Sequence, residues 1–179
     1  MDTAADQSLP FEGAPPSPVW HAAPADVLPG IALVLGRSSS TVVTLSLVRA
    51  FATGLSLTLT VHARGQARRG NLFAEVGEGP YEHAQDEEWE EGRFRWGLEL
   101  PDGRQVSNLD PPVLTTGAAS GLGDTWLELE YWLWPLPPTG RLRLRCQWLD
   151  QGIEASVHEL DAAPLLQAAA RAQPLWPTD

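Results

Sequence analysis

Residues 125–149 read TWLELEYWLWPLPPTGRLRLRCQWL and hold four of the eight tryptophans of the chain. Two segments with strict period-two alternation flank a proline-rich stretch, the pattern of two half-buried strands. The spacing predicts a hairpin turning over residues 135–140. In that register Trp134 opposes Arg141, Trp132 opposes Arg143, Glu130 opposes Arg145 and Glu128 opposes Gln147. On the other face Leu133 meets Leu142, Tyr131 meets Leu144, Leu129 meets Cys146 and Leu127 meets Trp148. One face is wholly apolar and belongs in a core. The other sets acid against arginine and indole beside guanidinium. A slip of one residue breaks this sorting, whereas a slip of two preserves it and stays open.

The polar face admits three readings. Cross-strand Glu–Arg and Trp–Arg pairs stabilise an exposed sheet by roughly 0.2–1 kcal/mol each, which suffices to explain the residues structurally. Alternatively the face binds: Trp132, Trp134, Arg141, Arg143 and Arg145 are the candidate binding residues, because indole and guanidinium groups stack on sugar rings and dominate protein interfaces. In the third reading an N-terminal arm carrying Trp20 covers the face.

The flanking segments extend the β pattern. The run IALVLG begins at Ile31, and TVVTLSLVRAF (41–51) is rich in β-branched residues. In LSLTLTVHA, Leu55, Leu57, Leu59 and Val61 alternate with polar positions, and Phe94, Trp96, Leu98 and Leu100 share one face of FRWGLEL. Pro101-Asp102-Gly103-Arg104 signals a tight turn into QVSNL. IEASVHEL (153–160) is a further strand, and Asp161 is placed to cap a final helix with Pro164 in its first turn. Leu165, Leu166, Ala169 and Ala170 form the expected apolar side of that helix. Residues 1–30 hold six prolines and read as an extended arm; residues 31–179 read as one domain, with a long aperiodic loop or insertion near 64–92. The expected fold is mainly β: an antiparallel, immunoglobulin-like β-sandwich of about seven to eight strands with one short C-terminal helix.

Composition narrows the function classes. A net charge of −11 argues against nucleic acid and anionic membranes as partners. All twelve basic residues are arginine, a coding bias of GC-rich genomes. No apolar run approaches the roughly 20 residues that span a bilayer, and no leader-like start is visible. The single cysteine, Cys146, excludes an internal disulfide framework and fits a reducing cytoplasm.

Chemistry-bearing motifs are sparse. His21, His62, His83 and His158 lack metal-ligand spacing. The acidic run 86–91 lacks the Asp-x-Asp-x-Asp-Gly calcium pattern. Ser120 has no assignable base, Gly117, Gly121 and Gly123 form no phosphate loop, and Glu128 with Glu130 face arginine, a setting that does not raise a carboxylate pKa. Cys146 falls on the core side of its strand. No catalytic residue, metal site or cofactor is expected.

VRAFATGLSLTLTV, FRWGLELPDGRQVSNLD, YWLWPLPPTG, CQWLDQGIEASVHELDA and the closing PLWP together resemble a family of uncharacterised, small β-rich actinobacterial proteins, from about residue 19 to residue 177. The resemblance implies a cytosolic protein, with the insertion near 64–92 as its variable region, and carries no site residues. The reading taken forward is a non-catalytic protein acting through protein–protein interaction or as a homo-oligomer. The alternatives are a carbohydrate- or small-ligand-binding module using exposed tryptophan, and an enzyme whose site is invisible in sequence.

Overall fold

A computed structural model describes residues 32–64, 92–108 and 125–173, Val76, and the backbone of 26–27 and 114–115. Apart from the backbone of 26–27, the expected N-terminal arm lies outside these residues, as does most of the expected insertion. The chain is mainly β, in two antiparallel sheets. The strands are β1 (Asp26–Val27), β2 (Leu33–Arg37), β3 (Thr41–Ala50), β4 (Leu55–Ala63), β5 (Arg95–Glu99), β6 (Gln105–Ser107), β7 (Leu114–Thr115), β8 (Trp126–Leu133), β9 (Arg141–Trp148) and β10 (Ile153–Asp161). A 3-10 turn (Leu149–Gln151) precedes β10, and the helix α1 (Ala163–Ala169) follows it. β1 and β7 are only two residues long, so the eight longer strands match the expected number.

The first sheet runs β1-β3-β4-β8-β7, with β2 also paired to β3; the second runs β10-β9-β5-β6. This arrangement overturns the predicted hairpin. β8 and β9 belong to different sheets. Leu133 pairs with Leu55 and Trp132 with Ser56 in β4, while Arg143 pairs with Glu99 in β5 and Glu159 in β10. Residues 134–140 do not turn back; they carry the chain from one sheet to the other. The crossing is anchored at both ends. Leu136 donates its N–H to the Thr53 carbonyl of the first sheet, and the Gly140 carbonyl accepts from Ala162 at the foot of α1. The Trp134–Pro135 peptide is cis.

The predicted faces survive although the pairing does not. Leu127, Leu129, Tyr131 and Leu133 point inward from β8, and Leu142, Leu144, Cys146 and Trp148 point inward from β9. Two sheets stacked face to face bring these rows together across one core, just as a hairpin would set them side by side. Tyr131 meets Trp96 of β5 edge to face at 4.6 Å, and Phe94 lies against Trp148 at 5.1 Å. The inward rows of β4 (Leu55, Leu57, Leu59, Val61) and of the β5 segment (Phe94, Trp96, Leu98, Leu100) are buried as their alternation requires.

Local signals hold at the ends. Gly103 takes φ 84°, which a residue without Cβ adopts freely, and closes the β5–β6 turn with N–H donation to Leu100. Asp161, the last residue of β10, accepts from the Ala163 N–H through Oδ1 at 2.9 Å, while Ala162, not Asp161, holds the cap position of α1. The helix buries Leu165, Ala168 and Ala169, while Ala170, expected on the apolar side, is exposed because α1 ends at Ala169.

One side of the molecule is closed by side chains. A register shift between Val34 and Gly36 in β2 frees the Leu35 carbonyl from the β3 ladder. Ser156 Oγ and His158 Nε2 of β10, the latter at 3.0 Å, both bond that carbonyl. A polar backbone group left over by a bulge is thereby satisfied from the other sheet.

Candidate functional site

The five candidate residues divide between the two sheets. Trp132 sits on the outward side of β8, yet it is only 2% exposed. Phe51 covers it edge-on, with ring centroids 5.4 Å apart, and Gly54 leaves the space the indole fills. Trp134 is half-buried in the crossing segment. Neither indole flanks a β9 arginine as predicted, because pairing partners are set by sheet membership, not by proximity in sequence. Glu130 is likewise diverted from Arg145. It accepts from Ser56 Oγ at 2.5 Å and pairs with Arg49, so β3, β4 and β8 are tied together on the outer face of the first sheet.

Arg141, Arg143 and Arg145 do share an exposed face, the outer side of the second sheet. Their side chains are 77%, 50% and 56% exposed. Two carboxylates from neighbouring strands interleave with them. Glu159 of β10 takes Arg141 at 2.5 Å and Arg143 at 3.6 Å. Glu99 of β5 takes Arg145 at 2.6 Å and Arg143 at 3.3 Å. The Arg145 hydrogen bond, with the charge of Arg143, holds the Glu99 carboxyl below its ordinary range; Arg141 does the same for Glu159. Desolvation opposes both shifts, for Glu99 second in size only to the Arg145 hydrogen bond. Sequence reasoning found the arginines and missed Glu99 and Glu159. Their positions on polar sides of alternating strands were readable, but which strands neighbour β9 was not.

The ladder borders an open hollow of about 620 Å³ lined by Arg95, Glu99, Gln105, Arg145, Gln147 and Val157, among others. Gly97 forms its floor. A Cβ there would lie 2.6 Å from the Val106 carbonyl oxygen, so β6 approaches closely over bare backbone. Val157, which pairs with Arg145, is 55% exposed at the rim. The face thus combines guanidinium donors, an exposed aliphatic group and a trough.

Other sequence candidates separate from this face. Cys146 is buried, and burial pushes its thiol up to about 12. His62 is exposed at the end of β4, and His158 serves the Leu35 carbonyl. Ser120, the acidic run 86–91, His21 and His83 lie outside the described residues. Among the described residues no group of three or more His, Cys, Asp or Glu side chains could hold a metal ion, and no helix is long and apolar enough to cross a membrane. Compared with protein-family models, curated proteins and solved structures, the chain matches none.

Proposed function

We propose that the chain is a non-catalytic, immunoglobulin-like module that binds a protein partner, or a second copy of itself, through the outer face of β5, β9 and β10. The layout is supported by strand order. Immunoglobulin domains order one sheet A-B-E-D and the other G-F-C, with C′ added beside C in variable-type domains. Taking β3 as A, and leaving β1 and β2 beside β3 outside the scheme, the orders β3-β4-β8-β7 and β10-β9-β5-β6 support that layout. Trp96 then stands on the C strand and Cys146 on the F strand, beside one another in register, where antibody domains place a core tryptophan and a disulfide cysteine.

The observation that carries the binding role is the exposed Arg141–Arg143–Arg145 row beside the Gly97 trough. Exposed ion pairs contribute little to folding, so their arginines stay available to a partner. Arginine is enriched at interface hot spots. The lone buried thiol fits a cytoplasmic setting. The reading as a carbohydrate-binding module loses its main indole, since Trp132 is covered.

Affinity capture from native lysate tests the proposal, using the wild type and an Arg145→Ala/Val157→Ala variant whose fold is verified by circular dichroism. A partner retained by the wild type and lost by the variant is the expected result. Equal retention by both, or no specific partner and no self-association in sedimentation, overturns it.

A further inference from the structure

We propose that the occupant of the arginine face is a second copy of the same chain, held in a two-fold dimer by the neighbouring outward rows of β9 and β10; this rests on the binding role given to that face. The two rows differ in charge and stand in register. Alternation sets Arg141, Arg143 and Arg145 on the outer side of β9, and Val157, Glu159 and Asp161 on the outer side of β10, all six exposed. Across the strand pair Asp161 stands beside Arg141, Glu159 beside Arg143 and Val157 beside Arg145.

That pattern is self-complementary. In a face-to-face isologous interface the two-fold axis lies in the plane of contact, and residue i of one copy meets j of the other while j meets i. An axis running along the strands, midway between β9 and β10, lays β10 of each copy over β9 of the other and keeps every row. Glu159 then faces Arg143 of the second copy, Asp161 faces Arg141, and Val157 covers the aliphatic stem of Arg145. Symmetry makes each contact twice. A face of one sign would repel its own copy, and a chain of net charge −11 repels another at long range, so paired strips of opposite sign are what a self-contact requires. The exposed pairs within one chain hold these side chains weakly, so sharing a guanidinium with a carboxylate of the second copy costs little. Val157 is 55% exposed, an aliphatic group that the dimer removes from water.

Sedimentation equilibrium of the full chain at fixed ionic strength tests this. The wild type is expected to dimerise reversibly. Arg143→Glu alone and Glu159→Arg alone each set like charges across the axis twice, and each should weaken the dimer roughly tenfold or more. Mixing the two variants should restore it, because the reversed charge of one protein then faces the opposite charge of the other. The pair within each chain stays broken in the mixture, so recovery reads contact between chains, and circular dichroism verifies that both variants are folded. A wild type that stays monomeric overturns the dimer. If affinity capture then still finds a different protein that Arg145→Ala/Val157→Ala loses, the binding face stands with another occupant; if it finds none, both readings fall. A dimer unmoved by either variant, or not restored by mixing, overturns this face as the contact.

Discussion

Gly54 and Trp132 occupy one another's space: a Cβ built at residue 54 would stand 2.5 Å from the indole Cζ2 and 2.6 Å from the Leu133 carbonyl oxygen. The indole is therefore a structural wedge between the β3–β4 turn and β8. Trp132→Ala is expected to cost about 3–5 kcal/mol, the range for emptying a buried aromatic site. Gly54→Ala is expected to cost roughly 1–3 kcal/mol through overpacking. Urea denaturation measures both, and the double variant should be less destabilised than the sum, since each change relieves the other's clash or cavity. A surface tryptophan would lose almost nothing.

The arginine ladder predicts an acid response. The folded-state carboxyl groups of Glu99 and Glu159 are depressed by Arg145 and Arg141. A depressed carboxylate contributes stability above its unfolded value and loses it as pH falls through the lower folded value. The melting temperature of the wild type should therefore drop below the usual carboxylate range near 4.5. Glu99→Gln/Glu159→Gln should show a smaller drop over that window and a smaller response to salt. Identical acid profiles for both proteins would contradict the ladder.

Cys146 predicts the opposite sign. Its thiol is raised to about 12 by burial, so it stays protonated and unreactive in the folded protein. A thiol reagent at pH 8 should label the native chain only at the rate of unfolding and label the denatured chain at once. A raised pKa contributes stability that is present below the unfolded value and fades as pH climbs through the folded one. Cys146→Ala should reduce that alkaline loss, read by melting between pH 8 and pH 11.

The Leu35 carbonyl offers a fourth test. Ser156→Ala with His158→Ala strips both side-chain donors from the carbonyl of a buried residue. The expected cost is about 1–3 kcal/mol. Hydrogen exchange should speed up in β2 and β10 while β4 and β8 stay protected, because the seam opens without disturbing the ladders of the first sheet.

Much of this architecture was legible in the alternation of apolar residues. Leu127, Leu129, Tyr131, Leu133, Leu142, Leu144, Cys146 and Trp148 all face the core as the sequence pattern demands. Alternation, however, specifies a side and not a neighbour. The inward rows of β8 and β9 meet whether the strands pair edge to edge or stack in two layers, so the pattern alone could not separate a hairpin from a crossing. The prolines at 135, 137 and 138 were the available hint, since they suit an irregular connection better than a tight turn. The Glu99 and Glu159 bridges depended on knowing that choice, and so did the burial of Trp132 beneath Phe51.

The crossing at residues 134–140 also bears on how the chain reaches this structure. β8 and β9, consecutive in the chain, share no backbone ladder: Leu129 pairs with the distant Leu59 and Cys146 with the distant Trp96. Early closure of a local β8–β9 pair would therefore be a wrong turn that the proline segment discourages. Loop-closure entropy must be met before the correct ladders form, which places folding on the millisecond-to-second scale of non-local β topologies. The stretch richest in tryptophan thus guides the order of assembly by keeping its two halves apart.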